Sequence, residues 1–266
     1  MKCINTLFST VKSESKIIYY SSIFSLVLGA VCLVGMIFDT RTLMGVSVWL
    51  KPLKFSISVA IFIFTVGFLV SIYPYSPRKR KVVCRLVAIS NIIDLIIIFV
   101  QGSRGVQSHY NLSSAIDGML YGIMGIFTSL NVLLIILLIV DTIRLKLKTT
   151  RSIQWSILMG WLVVFFGSWI GGVMISQLSH NVGIADGGEG LPLVNWSTVA
   201  GDLRIAHFFG LHGIQLIPLC ALFLNNKWKT TQRNQILVVS LIGIIYAAWI
   251  GFLFYQAKQG MPFVKI

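Results

Sequence analysis

The sequence predicts an all-α protein: a polytopic membrane helix bundle of seven transmembrane helices, with a cytoplasmic N-terminus and the C-terminus outside. Three observations carry this expectation. Apolar runs of about twenty residues recur along the chain, the length that crosses the hydrocarbon of a bilayer. Only 11% of the residues are charged and 56% are hydrophobic, with mean hydropathy +0.85, whereas a soluble domain averages about 25% charged. Finally, 15 of the 22 Lys and Arg fall in the N-terminal segment and in alternate loops, around 78–85, 144–151 and 227–233, which fixes the cytoplasmic side.

The spans follow in order. Residues 1–16 are short and basic, and an apolar run over 17–38 follows with no small-x-small cleavage site, so an uncleaved first span is expected. The second span, 53–73, opens on WLKPLKF (Trp49 to Phe55), where Pro52 suits the first turn of a helix. The basic cluster Arg78 to Lys81 separates it from the third span, 82–101. A polar loop leads to the fourth, 115–143, and a second basic loop to the fifth, 153–177. The longest loop, about 178–203, precedes the sixth span, 204–224, and the seventh covers 236–255. The chain reads as a single transmembrane domain, 1–266, with no internal repeat.

The net charge of +14 belongs to the loops between spans rather than to a basic fold, so no nucleic acid is expected as a partner; the lipid bilayer is the partner. The four cysteines have no C-x-x-C spacing and read as small apolar fillers.

Polar residues gather at the outer ends of the spans. Lys51 and Lys54 open the second. Asn91, Asp94 and Gln101 share one face of the third. Asp117, Tyr121 and Thr128 share one face of the fourth, with Arg104 and His109 in the loop before it. Asp202 precedes the sixth span, which carries Arg204, His207, His212 and Gln215 in an arc of about 140°. On a straight helix His212 lies about 12 Å below Arg204. Ionisable groups cost about 2.5–3.5 kcal/mol at the centre of a span, so they face a partner or a cavity rather than lipid. Together these eleven residues — His109, His207, His212, Gln215, Arg204, Asp202, Arg104, Asp117, Asp94, Lys54 and Lys51 — form a candidate outward-facing site, with His109, His207 and His212 as candidate metal ligands. The inner halves of the spans read as plain and apolar.

The nominal catalytic motifs, H-E-x-x-H, G-x-S-x-G, Walker and Rossmann, are absent. His207 and His212 are five residues apart, which is not the i, i+4 clasp of a metal on one helix face. DGGEG (Asp186 to Gly190) reads as a turn-rich loop and matches no EF-hand spacing.

WLKPLKF, SHYN (Ser108 to Asn111), DGGEGLPL and NWSTVAGDLRIAHFFGLHGIQLIPL together resemble an uncharacterised family of bacterial multi-pass inner-membrane proteins. The resemblance implies a topology and a location in the bacterial cytoplasmic membrane, not an activity. Seven spans with histidines and aspartates are also similar to the membrane hydrolases related to progestin and adiponectin receptors and alkaline ceramidases, but their H-x-x-x-H is missing and the polar cluster lies outside.

Three functions are expected from these residues. One is a redox protein holding haem b or a transition metal (Zn, Cu or Fe), with quinone as a candidate substrate; Gly210-Leu211-His212-Gly213 offers a histidine beside glycines, His109 or His207 the opposite ligand, and Arg104 or Arg204 a partner for propionates. Another is a proton-linked transporter of a small anionic solute, drawn by Lys51, Lys54, Arg104 and Arg204, with Asp94, Asp117 and His212 titrating. The third is a membrane hydrolase with zinc-activated water on His and Asp.

Overall fold

The structure is a computed structural model that describes residues 2–188, 190–227 and 230–265; the side chains of residues 2–5 are not described. Glu189 of the DGGEG loop and Lys229 of the last basic loop lie outside the described residues. Helices dominate: six are long and apolar enough to cross a membrane, or up to seven if one bent pair counts as a single span. This is a multi-pass membrane protein by length and composition. The chain divides into two compact units, residues 1–134 and 135–266, and each is described by itself.

The first unit begins with a helix where a short basic segment was expected. In α1 (Lys2–Glu14), Val11 is buried and Phe8 lies against Phe64, with ring centroids 4.9 Å apart. Glu14 at its end pairs with Arg80. Ser15 then breaks the chain into α2 (Lys16–Phe38), which packs along α3 (Leu50–Ile72). Small residues allow the close approach: Gly29 faces Ser56, Gly35 lies under the Trp49 ring, and Gly67 faces Ile18. The hairpin of β1 (Thr42–Leu43) and β2 (Val46–Ser47) joins them, turning through Met44 and Gly45, both at positive φ. Asp39 anchors this turn, accepting from Trp49 Nε1 at 2.9 Å and from Arg41. These donors hold its carboxyl well below the usual carboxylate range.

The next helix, α4 (Pro77–Ser103), starts earlier than hydropathy indicates. Arg78 to Lys81 form its first turns instead of a separating loop, because Ser76 caps the helix by accepting from Lys79 N and Pro77 fits N1. Ser114 then opens α5 (Ala115–Arg144): its hydroxyl accepts from Asp117 N at 3.1 Å and donates to Asp117 Oδ2 at 2.6 Å, a reciprocal cap.

The second unit is built on α6 (Arg151–Ser176), capped by Thr150. The expected continuous sixth span is broken: α7 (Leu203–Leu211) and α8 (Gly213–Lys227) meet at His212 with a bend of 46°. The straight-helix depth of His212 therefore does not apply beyond Leu211. Gly160 and Gly167 of α6 lie against the backbone of Gly213, Ile214, Gly210 and Leu211, so the bent pair packs on α6 without intervening side chains. A last helix, α9 (Gln232–Lys258), packs on α6 and α7, and Tyr246 donates to Phe209 O at 2.7 Å. In the long loop, β3 (Asn181–Val182) pairs with β4 (Gly201–Asp202).

Polar groups are not confined to one end of the helices. Ser152 Oγ of α6 lies 3.2 Å from both Asn225 Oδ1 of α8 and Gln235 Oε1 of α9, and accepts from Asn225 Nδ2 at 2.9 Å. Nearby, Gln154 Nε2 donates to the carbonyls of Thr142 and Leu145. The expectation of plain inner ends fails here because these amides satisfy helix termini and loop carbonyls.

Candidate functional site

In the first unit, α3, α4, α5 and the loop before α5 place six of the eleven site residues. Lys51 Nζ lies 3.3 Å from His109 Nδ1, and Ser108 Oγ lies 3.1 Å from the same nitrogen. An ammonium has no lone pair, so Lys51 donates and Nδ1 accepts. The neutral ring then carries its proton on Nε2, and its one lone pair is already engaged. In this arrangement His109 offers no electron pair to a metal. Its ring stands among Phe55, Tyr110 and Tyr121, at centroid distances of 5.8, 6.0 and 6.4 Å. Lys54 follows Lys51 by one turn on α3. The Tyr121 hydroxyl is buried and, among the described residues, has no hydrogen-bond partner.

Arg104 is not free to attract an anion. It donates to Asp117 Oδ1 at 2.7 Å and also bonds Gln101, while Gln101 Nε2 reaches the same carboxylate at 2.9 Å. Asp117, 4% exposed, is thereby satisfied on both oxygens. This assembly closes one end of the α4–α5 seam.

Deeper along that seam the shared faces expected for Asn91 and Asp94 and for Thr128 do meet. Thr128 Oγ1 donates to Asp94 Oδ2 at 3.2 Å. Asn131 joins them: its Oδ1 accepts from Ser90 Oγ at 2.9 Å and Asn91 Nδ2 at 3.0 Å. Sequence reasoning passed over Asn131 and Ser90, although Asn131 lies three residues beyond Thr128 on the same face. Asp94 Oδ1 is buried and without a partner among the described residues.

In the second unit Asp202 caps α7, accepting from Arg204 N at 3.0 Å, and binds the Arg204 guanidinium through Nε and the terminal nitrogen. It also accepts from Ser197 N at 3.0 Å. Arg204 additionally donates to the Asn195 carbonyl. Arg204 is thus a brace for the loop rather than an open anion hook. His180 is half of another brace: Nδ1 lies 3.3 Å from Asp186 Oδ1. Asp186 is saturated by Ser179 Oγ and the backbone N–H groups of His180 and Asn181. Burial, and next the Arg204 charge, push the His180 imidazole below its ordinary value despite the two aspartates beside it.

His207 Nδ1 lies 2.7 Å from the Gly167 carbonyl. A carbonyl only accepts, so Nδ1 carries the proton and Nε2 keeps its lone pair. His212 caps α7 at the bend, with its ring 4.5 Å from Phe208 and a side-chain hydrogen bond to Gln215. His207 thus ties α7 to α6, while His212 stays within its own chain segment.

No family model matches the chain. Neither does any curated protein or any solved structure. Among the described residues, no three His, Cys, Asp or Glu side chains are grouped as a metal site would require. Cys32 and Cys84 are buried and free, and Cys220 is free and exposed.

Proposed function

We propose that this multi-pass membrane protein is a proton-linked transporter of a small anionic solute, bound at the Lys51–His109 cluster of the first unit. One observation carries the reading: the Lys51 ammonium rests on a neutral imidazole, among aromatic side chains and beside the buried Tyr121 hydroxyl, which has no partner among the described residues. Arg104 and Arg204 are each bound to a carboxylate, whereas the Lys51 ammonium meets the imidazole of His109. Such a positive, partly buried cluster suits a solute carboxylate or phosphate, with Tyr121 donating and the aromatic faces excluding water. Lys54 lies one turn on at the same helix end.

The topology belongs to this reading. With α7 and α8 counted as one bent span, the protein has seven spans, a cytoplasmic N-terminus and the Lys51–His109 cluster facing outward in a bacterial cytoplasmic membrane. The distribution of Lys and Arg between alternate loops supports that orientation.

Thermal unfolding of the purified protein with acetate, succinate or inorganic phosphate tests the binding step. A bound solute at about 100 times its Kd adds about 2.7 kcal/mol. Stabilisation by at least one of these anions, lost in Lys51→Met and weakened in Tyr121→Phe, is expected. No stabilisation by any of them, or the same stabilisation in Lys51→Met, defeats the proposal.

A second reading rests on His207. Its proton sits on Nδ1 against a backbone carbonyl, the arrangement that presents Nε2 to iron or another transition metal. Haem b on this residue predicts a Soret band that disappears in His207→Ala; its absence from protein made with ample haem removes the reading.

A further inference from the structure

Asp94 is the intramembrane carboxyl that the functional site leaves unexplained. Its partners among the described residues reduce to one hydroxyl, Thr128 Oγ1, on Oδ2. Oδ1 is buried without any. Asp94 takes part in no ion pair among the described residues, unlike Asp117, which is held by Arg104. The titratable groups on the elements packed against α4 are Lys51 and Lys54 on α3, Lys16, Tyr19, Tyr20 and Cys32 on α2, and Asp117, Tyr121, Asp141 and Arg144 on α5. Among the described residues, only Thr128 is bonded to Asp94.

Position adds to this. Asp94, Asn91 and Ser90 lie in the central third of α4, and Thr128 and Asn131 in the central third of α5. The polar step is therefore near mid-membrane, where an ionised, half-satisfied carboxylate is most expensive. One layer of apolar side chains, Ile97, Ile98 and Met124, separates it along both helices from the Gln101–Arg104–Asp117 assembly. Beyond that layer lies the Tyr121 hydroxyl, also buried and without a partner among the described residues.

We propose that Asp94, with Thr128 as its donor, is a proton-binding site at mid-membrane, and that it carries the proton coupled to solute movement. Asp117 is excluded from that role by its full set of donors. In the loaded state the proton resides on Oδ1, the oxygen with no other partner, while Thr128 continues to donate to Oδ2. In the empty state the Thr128 hydroxyl is the donor that supports the charge. The coupling role rests on the transport reading above; the proton site does not.

Dicyclohexylcarbodiimide tests the site without any solute. This apolar reagent takes a protonated carboxyl across one of its C=N bonds, the proton passing to nitrogen, and so marks carboxyls that bind protons inside a membrane. With the full-length protein in lipid nanodiscs, mass mapping is expected to find label on Asp94 and not on Asp117. Above its midpoint the yield should fall about tenfold per pH unit, as a single protonation requires. Thr128→Val removes the donor to the carboxylate and should move the loss of labelling to higher pH, whereas Ser129→Ala should not. A correctly folded protein without label on Asp94, or with label that does not change with pH, overturns the proposal. Label on Asp94 in a protein that moves no solute leaves the proton site standing and removes the transport reading. Solute uptake without label does the reverse.

Discussion

Adding a single methyl group at Gly167 should separate two helices that now meet backbone to backbone. A Cβ there would stand 2.8 Å from both Cα and C of Gly210 and 2.9 Å from Leu211 N. Carbon atoms pack best at about 3.5–4.0 Å, so α7 has to retreat by about 0.7–1.2 Å. No flexible side chain can yield instead, because every close atom is backbone. Overpacking of this kind costs about 1–3 kcal/mol. The retreat also stretches the 2.7 Å bond between His207 and the Gly167 carbonyl, a loss of about 0.5–1.5 kcal/mol. Against this, Ala gains up to about 1 kcal/mol over Gly in a helix. The net expectation for Gly167→Ala is a loss of about 2 kcal/mol, between about 0.5 and 4. Gly172, five residues on in the same helix, has nothing within 4 Å of a built Cβ. Gly172→Ala should therefore be neutral or stabilising by up to about 1 kcal/mol. Denaturant unfolding in micelles, followed by helical circular dichroism, compares the two variants. Equal stability of Gly167→Ala and Gly172→Ala would refute the close-packing argument and, with it, the placement of His207 against α6.

The remaining predictions concern the long loop and its braces. His180 is held below its ordinary value, so its native form is neutral; the unfolded loop binds more protons in the window between the depressed value and about 6.5. The stability it contributes is full above about pH 6.5 and is lost as pH falls through the folded value. Hydrogen exchange across residues 178–203 should accelerate on acidification in the wild type and become less pH-dependent in His180→Gln. Asp202→Ala removes the cap of α7 and strands the Arg204 guanidinium, an expected cost of about 3–5 kcal/mol, read as early proteolysis of the loop. Gly201→Ala drives a Cβ into the backbone of Ala257 and should release the β3–β4 hairpin from α9, seen as exchange confined to residues 180–203 and the end of α9.

Hydropathy located the spans because insertion in a bilayer demands long apolar segments regardless of how they pack. Their ends were less legible. Arg78 to Lys81 look like a loop by polarity, yet a serine cap and Pro77 place them in the first turns of α4. Basic residues near a membrane surface need not leave the helix, since long side chains reach water from it. The amphipathic α1 was readable from the apolar Leu7, Phe8 and Val11, although Lys2, Lys12 and Lys16 give the segment a basic, polar composition. The break at His212 carried a weaker signal, glycines on either side and Pro218 five residues after Gly213; a proline in a span is commonly a kink, and only packing on the glycine face of α6 decides where the bend falls. Periodicity brought Asp94 and Thr128 to facing sides of two helices. It could not reveal that Arg104 and Arg204 are consumed by Asp117 and Asp202, because those bonds depend on loops that turn back on themselves. Nor could it reveal that His109 and His207 hold their protons on different nitrogens, which is set by a lysine in one case and a carbonyl in the other.

Proton-linked anion transport is tested most directly in proteoliposomes with a pH-sensitive dye inside. Addition of the anion that stabilises the protein should change the internal pH in the wild type. Lys51→Met should abolish the response by removing solute binding, and Asp94→Asn should abolish the proton signal while binding of the anion persists. An anion taken up with no pH change in the wild type, or an undiminished pH signal in Asp94→Asn, contradicts the account.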